Sequence, residues 1–266
     1  MTYLSFLESL LHDAGQLAMT FPRHMPQRIK DADVNQVVTP ADMVIGSRMK
    51  RRIRQKFPYD SVIDEESSPV RGTSPVTWVI DPIDGTSNFA AGSPLFGVMV
   101  GILEHGKPVA GGVALPAFSE IYVAEDGEGA HKNGNRLQIK EEGDLAQQLV
   151  AYGIDIYPSE IALDYRIFTG IGLCCRGIRM SNSIFDCMMV ANGSYGGFMT
   201  RHNRIWDCVA AQVIVEEAGG VFSAMDGSAL DFTDPLEKTA DNFSMLASGP
   251  SFHDAITGIT RQHLLD

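Results

Sequence analysis

Asp81 and Asp84 stand three residues apart in the segment WVIDPIDGTSNF, residues 78–89, where an apolar run ends directly in carboxylates. Pro82 between them donates no backbone hydrogen bond and fixes its own φ, so the chain leaves the run through a rigid turn that keeps the two carboxylates close. Hard oxygen donors at this spacing, with the Ile83 carbonyl between them, suit magnesium far better than zinc. Gly85 and Thr86 then offer backbone N–H groups at the start of a predicted helical turn, where unpaired donors and the helix dipole favour an anion. Both halves of a metal-and-phosphate site are thus present in one short stretch. The same residues also fit a plainer use, as turn formers and a helix cap.

Further carboxylates lie at comparable positions. Asp64, Glu65 and Glu66 close the apolar run Val62-Ile63 at another predicted strand end, although such a triplet alone fits a solvated loop. Asp207 follows Trp206 and precedes the apolar stretch 209–218, so by itself it reads as the N-cap of a helix. Asp42 reads as the acidic member of a capping box with Thr39. A capping residue at a helix mouth can also face a cleft, so neither use excludes chemistry.

The elements that must position these groups follow from periodicity. Leu4, Leu7, Leu11, Ala14 and Ala18 repeat on one helix face before Pro22 and Pro26 interrupt it. Thr39, Pro40 and Asp42 start a second helix whose face is Ile45, Met49 and Ile53, ending near Phe57-Pro58. From 61 to 136 the chain turns to short apolar or alternating runs, at 61–63, 77–80, 97–103, 109–115 and 120–124. Turns with Gly106, Gly127 and Asn133-Gly134 separate several of them, which predicts a mostly antiparallel sheet. Residues 141–148 are polar and acidic and set a lobe boundary. Beyond them, strand-like runs at 148–154 and 220–224 alternate with helical stretches at 159–170, 183–191 and 207–218, an α/β texture. The expectation is a layered α/β fold of alternating helices and sheets. An N-terminal helix and antiparallel-sheet lobe, 1–145, carries most of the candidate ligands, and a C-terminal α/β lobe, 146–266, supplies Asp207.

Composition narrows the class. The 266 residues are 44% hydrophobic and 20% charged, ordinary for a soluble enzyme with a sizeable core, and no apolar run approaches a membrane span. A cytoplasmic protein is expected. The 21 basic against 33 acidic residues, a net charge of -12, oppose binding to nucleic acid or an anionic membrane. Cys174, Cys175, Cys187 and Cys208 form neither a metal-binding pair nor a disulfide framework and read as reduced thiols.

The segments VVTPAD ending at Asp42, IDEES around Glu65, WVIDPIDGTSNF around Asp81 and WDCVAAQVIVEEAGG from Trp206 resemble, in order and separation, the signature segments of the inositol monophosphatase family. That resemblance implies the alternating helix and sheet layers of the inositol monophosphatase and fructose-1,6-bisphosphatase fold. It also implies hydrolysis of a small phosphorylated metabolite with two to three magnesium ions, in a homodimer. Glu65, Asp81 and the Ile83 carbonyl would hold one ion, Asp81, Asp84 and Asp207 a second, and a third, weaker ion would lie near Glu65. Asp42 and Thr86, with Glu65 counted as catalytic beside them, would orient and deprotonate a water that attacks phosphorus in line, with no phosphoenzyme. The Gly85 and Thr86 amides would cradle the phosphate, and Asp84, Ser183, Ile184 and Thr200 would meet the substrate.

Other phosphatase chemistries find no support. No cysteine is followed six residues later by arginine, and Asp31 and Asp33 read as a solvated loop because Arg28-Ile29-Lys30 before them is not a buried strand. Lys30 falls where relatives often carry a base that assists phosphate, and equally fits a solvated lysine. His105, His131 and His202 read as surface or loop residues, and Arg179, Arg201 and Arg204 as solvent-facing charges that could otherwise meet a second anion. Inositol-specific relatives carry a glutamate where Thr200 stands, and a smaller residue where Ile184 stands. Histidinol phosphate, a nucleoside bisphosphate, a sugar phosphate or a broad range therefore stay open beside inositol phosphate. A regulatory binding protein is the alternative of another class.

Overall fold

The structure is a computed structural model that describes residues 2–22, 24–30, 33–139 and 143–264. The chain opens with helix α1 (Leu4–Ala18), a hairpin of β1 (Arg28–Lys30) and β2 (Asp33–Val38), and helix α2 (Pro40–Lys56). An eight-stranded sheet follows: β3 (Ser61–Asp64), β4 (Ser67–Val70), β5 (Val76–Asp84), β6 (Gly97–Glu104), β7 (Lys107–Leu115), β8 (Glu120–Glu125), β9 (Gly129–Lys132) and β10 (Asn135–Arg136). Its order is β10-β9-β8-β7-β6-β5-β3-β4, antiparallel throughout except for the parallel pair β3 and β5. The short helix α3 (Thr86–Ala90) leaves the end of β5.

The rest of the chain alternates β11 (Leu149–Gly153), α4 (Ile161–Gly172), β12 (Gly177–Arg179), α5 (Ile184–Ala191), β13 (Gly197–Asn203), α6 (Ile205–Glu217), β14 (Val221–Ser223), β15 (Phe243–Ser248) and α7 (Pro250–Leu264). These strands form a second sheet, β12-β11-β13-β15-β14, in which β11 runs parallel to both of its neighbours and β15 antiparallel to its own.

Alternation along the strands sorts the apolar residues of the large sheet to its two faces. Trp78, Ile80, Val98, Val100 and Ile102 pack under α1 and α2, whereas Val79, Met99, Leu103 and Val113 join α5, α6 and residues of the second sheet in another cluster. Helix α6 touches both sheets, and α4 and α7 cover the far side of the second one. The outcome is the predicted layering, α–β–α–β–α. Being covered on both sides, α6 has no polar stripe: Val209, Ala210, Ala211, Val213, Ile214 and Val215 are all buried.

How closely α6 lies on the sheet is set by two glycines. A Cβ on Gly101 would come within 2.5 Å of the Val209 side chain, and one on Gly111 within 2.7 Å of the Ala210 Cα. Since α6 also carries Asp207, the distance between sheet and helix is part of the site.

Local signals gave α1 and α2 their observed starts, with Thr39 as N-cap and Asp42 closing the capping box. The turns at Gly106, Gly127 and Asn133-Gly134 all have positive φ. Other expectations change. Asp207 is not an N-cap: Arg204 occupies that position and donates its backbone N–H to Asp207 at 2.6 Å, from the third residue of α6. Residues 28–30 do form a strand, though a largely exposed one. Asp31 lies outside the described residues, but Asp33 belongs to β2 and accepts hydrogen bonds from Asn35 and Tyr157. His131 lies in β9. Arg201 is not solvent-facing; it is paired with Asp164 at 3.0 Å and Glu160 at 2.6 Å. The strands β13 and β15 and helix α7 had no counterpart in the periodicity reading, because polar residues such as Thr200, Arg201, Thr257 and Thr260 occupy inward or cleft-facing positions.

Gly111→Ala places a methyl group against the backbone of α6. It is expected to lower stability by about 1–3 kcal/mol in urea unfolding, the usual effect of overpacking a rigid contact. An unchanged midpoint would show that α6 can move off the sheet.

Candidate active site

Carboxylates from four elements gather at one cleft of about 330 Å3, that of Asp42 behind its wall. Strand β5 ends in Asp81 and Asp84, the turn after β3 gives Glu65, the first turn of α2 gives Asp42, and the first turn of α6 gives Asp207. One carboxylate oxygen from each of Asp81, Asp84 and Asp207 lies within 4.8 Å of the others. Asp81 is 2% exposed and Asp42 fully buried.

Of the acidic triplet, Glu65 alone joins this cluster. Asp64 turns away, to Lys50 of α2 at 3.2 Å and to Ser67 of β4, whose hydroxyl donates to it at 2.6 Å. Lys30 is not a solvated lysine: its ammonium lies 2.6 Å from both Glu65 and Glu66. Burial works against the Lys30 charge, yet Glu65 and Glu66 hold it above the ordinary lysine range.

Every acid in the cluster is displaced in one direction. Burial, followed by the charges of Glu65 and Asp84, holds Asp81 well above the usual carboxylate range. Asp84 and Asp207 are pushed up to about 7, chiefly by burial. Burial also raises Glu65, against the pull of Lys30, and raises Asp42 against the hydrogen bonds from Thr39. Several buried negative charges beside one ammonium lack counter-charge, and every donor among them is a hard oxygen. Such a set fits magnesium and has no soft ligand for a thiophilic metal.

The remaining predicted residues flank the cluster. Gly85, at φ 79°, turns the chain into α3, no side chain caps that helix, so its first N–H groups have no intrahelical partner, and residues 85–88 line the cleft. Thr86 Oγ1 lies 2.9 Å from the Ile83 carbonyl and 3.2 Å from Asp42 Oδ1, while Thr39 donates through both N–H and hydroxyl to Asp42 Oδ2. Ser183 caps α5, and the Ile184 N–H donates to Asp84 Oδ2. The Ile184 side chain itself is buried in the core between the sheets. Thr200 lines the cleft from β13, against Gly153 of β11.

Sequence reasoning left out His202 and Asp155. His202, read as a surface residue, lies in β13 and lines the cleft, 3.2 Å from Glu160. Asp155 also lines it, as does Asn182, which the sequence places beside Ser183 and Ile184 in the pocket segment. Asp155 follows a strand end, and loop residues carry no periodicity to reveal which way they face.

A layered α/β fold holding a buried carboxylate cluster beside open helix-turn amides defines a metal-dependent phosphatase. Comparison with known proteins makes this specific: residues 2–265 match the model of the inositol monophosphatase family, and the chain belongs to that family. A "Fructose-1,6-bisphosphatase/inositol-1-monophosphatase" of Aquifex aeolicus is 30% identical over 268 residues, covering 98% of this chain and 96% of the relative. A protein of Escherichia coli strain K12 named Nus factor SuhB is 33% identical over 196 residues, 73% of each chain. The solved structure of an IMPase from Thermotoga maritima superposes with a TM-score of 0.86 at 26% identity, over 98% of this chain and 97% of that one.

The raised carboxylates give metal-free protein a pH dependence of definite sign. The folded form of Asp84 and Asp207 titrates near 7, against 3.8 for an ordinary Asp, so between those values the folded chain holds protons that the unfolded chain has released. Their contribution is full below about 4 and is lost as pH rises through about 7. Thermal unfolding in EDTA should therefore show a lower midpoint at pH 8 than at pH 5.5, and magnesium should restore it at pH 8. A midpoint insensitive to pH in EDTA would mean that the charges are balanced without metal.

Proposed function

We propose that this protein hydrolyses a small phosphate monoester with two to three magnesium ions held by Glu65, Asp81, the Ile83 carbonyl, Asp84 and Asp207. The observation that carries the reading is the meeting of Asp81, Asp84 and Asp207 oxygens within 4.8 Å, beside the open amides of α3. The ions, when bound, supply Lewis acidity and cancel charge on the attacking and leaving oxygens. The chain's own groups handle the anion and the proton. The Gly85 and Thr86 amides bind phosphate oxygens. Thr86 has one hydroxyl proton and two acceptors within reach, Ile83 O and Asp42 Oδ1. When that proton points to Asp42, the Thr86 oxygen is free to accept one from a water; the water's proton moves to Thr86 as the Thr86 proton moves to Asp42. Burial raises the basicity of Asp42 for this step. Thr39 fixes the other carboxylate oxygen, so Oδ1 stays directed at Thr86.

In this reading the cleft lies between an N-terminal lobe, 1–145, and a C-terminal lobe, 146–266, in a cytoplasmic homodimer. Inositol phosphate heads the substrate classes, with histidinol phosphate and nucleoside bisphosphates behind it. The Nus-factor name of one relative supports a second reading, a regulatory binding role. A binding surface has no need of the buried carboxylate set, which favours catalysis.

Phosphate release with magnesium and with EDTA, across inositol 1-phosphate, histidinol phosphate, 3′-phosphoadenosine 5′-phosphate, fructose 1,6-bisphosphate and glycerol 2-phosphate, tests the chemistry and the class together. Asp81→Asn should abolish magnesium-dependent release while raising the metal-free unfolding midpoint, because a repelling charge is removed. Near-normal turnover in that variant would refute its place among the ligands. Thr86→Ala should lower kcat by about 10²–10⁴-fold, the usual effect of losing a positioned proton-transfer group. A loss confined to KM would remove Thr86 from the proton path.

A further inference from the structure

Thr200 gives the cleft a neutral hydroxyl, and the structure brings a carboxylate, Asp155, into the same cleft. Thr200 on β13 stands directly beside Gly153 on the parallel strand β11, so close that a Cβ on Gly153 would lie 3.1 Å from the Thr200 Cβ. Two residues past Gly153, Asp155 lines the cleft. Its carboxylate forms no hydrogen bond or ion pair with any described residue, although Asp33, Asp164 and His202 all lie near enough to influence it. An unpartnered carboxylate in a partly desolvated position is unfavourable unless a ligand completes it.

The backbone on both sides of Asp155 is clamped. Asn182, itself at φ 50°, donates its side-chain amide to the Ile154 carbonyl at 2.7 Å and accepts from the Ile154 N–H at 3.1 Å. Asn35, from the hairpin on the opposite side, donates to the Ile156 carbonyl at 3.2 Å and accepts from the Ile156 N–H at 3.2 Å. Tyr157 then donates to Asp33 at 2.9 Å. Two reciprocal amide clamps, one residue before and one after, hold Asp155 in place before any substrate arrives, the condition under which a recognition group is most effective.

We propose that Asp155 is the specificity-determining carboxylate of this enzyme: it accepts hydrogen bonds from hydroxyl or ammonium donors on the alcohol part of the substrate and disfavours a second phosphate there. This rests on the phosphatase reading above. Of the nearby arginines, Arg201 has its charge taken up by Asp164 and Glu160, and Arg204, which lines the cleft, is turned to the Ala240 and Asp241 carbonyls through one guanidinium nitrogen.

The test compares wild type with Asp155→Asn on four phosphate esters in magnesium: inositol 1-phosphate, histidinol phosphate, fructose 1,6-bisphosphate and 4-nitrophenyl phosphate. Asn keeps the size and removes the charge. Loss of charge-assisted hydrogen bonds should raise KM roughly ten- to a hundredfold for the donor-bearing ester that wild type prefers. KM for the bisphosphate should fall, and 4-nitrophenyl phosphate, which has no donor on its leaving group, should be unchanged. Inositol 1-phosphate and histidinol phosphate separate hydroxyl from ammonium recognition. An equal loss on all four esters, or no change in any, would overturn the role of Asp155 while leaving the phosphatase reading intact. Wild type inactive on every ester would overturn both. Asn182→Ala should reproduce the KM pattern of Asp155→Asn in weaker form with kcat on 4-nitrophenyl phosphate retained, as expected of a positioning residue; a pattern unlike that of Asp155→Asn would remove the clamp from the proposal.

Discussion

The mutual repulsion of buried carboxylates is the constraint around which this molecule is arranged. Asp81, Asp84, Asp207 and Glu65 come from three separate places in the chain and meet at the wall of one cleft, where burial limits the screening that water can give. Left to themselves they would separate or take up protons. They stay together because each is anchored on a rigid element: β5 is central in the large sheet, α6 is packed between two sheets, and the end of β3 runs parallel to β5. The stabilisation of those layers is what opposes the repulsion, and divalent cations are the natural means of relieving it.

The neighbouring polar groups gain meaning from that arrangement. Lys30 brings a positive charge into contact with the cluster and divides it between Glu65 and Glu66. The hairpin that carries Lys30 is also fastened to the segment 154–157, through Asn35 with Ile156 and Asp33 with Tyr157. Anchoring the hairpin, directing Lys30 and fixing the backbone at Asp155 are therefore coupled in one contact region. Asp42 shows a similar double use, since one oxygen closes the cap of α2 and the other faces Thr86. A group fixed by a structural bond keeps its remaining lone pairs in a defined direction, which suits proton transfer.

Much of this was legible in the sequence where local physics decides. The capping box at Thr39 and Asp42, the rigid Asp81-Pro82-Ile83-Asp84 turn and the helical turn that starts at Gly85 and Thr86 are each short-range consequences of residue type. Apolar periodicity similarly located α1, α2 and most strands of the large sheet. The substrate side was less accessible. Ile184 lines the cleft as expected, but its side chain, 3% exposed, also belongs to the core, and its N–H, which no pattern points to, donates to Asp84. His202 and Arg201 looked exposed, and strand alternation with long-range carboxylate partners places them otherwise.

By itself, then, the sequence determined the chemical potential of the site: the oxygen donors, the turn geometry that pairs Asp81 with Asp84, and the helix starts that present Asp42 and the amides at 85 and 86. Residue type and spacing did not separate Glu65 from Asp64 and Glu66, a choice the family resemblance made and the tertiary structure explains, and only the tertiary structure decided which residues complete the cleft from the second sheet. The reason is physical. Turns and caps depend on neighbours a few residues away, whereas the pairing of β11 with β13 brings residues 153 and 200 side by side, and no local pattern records a contact across that separation.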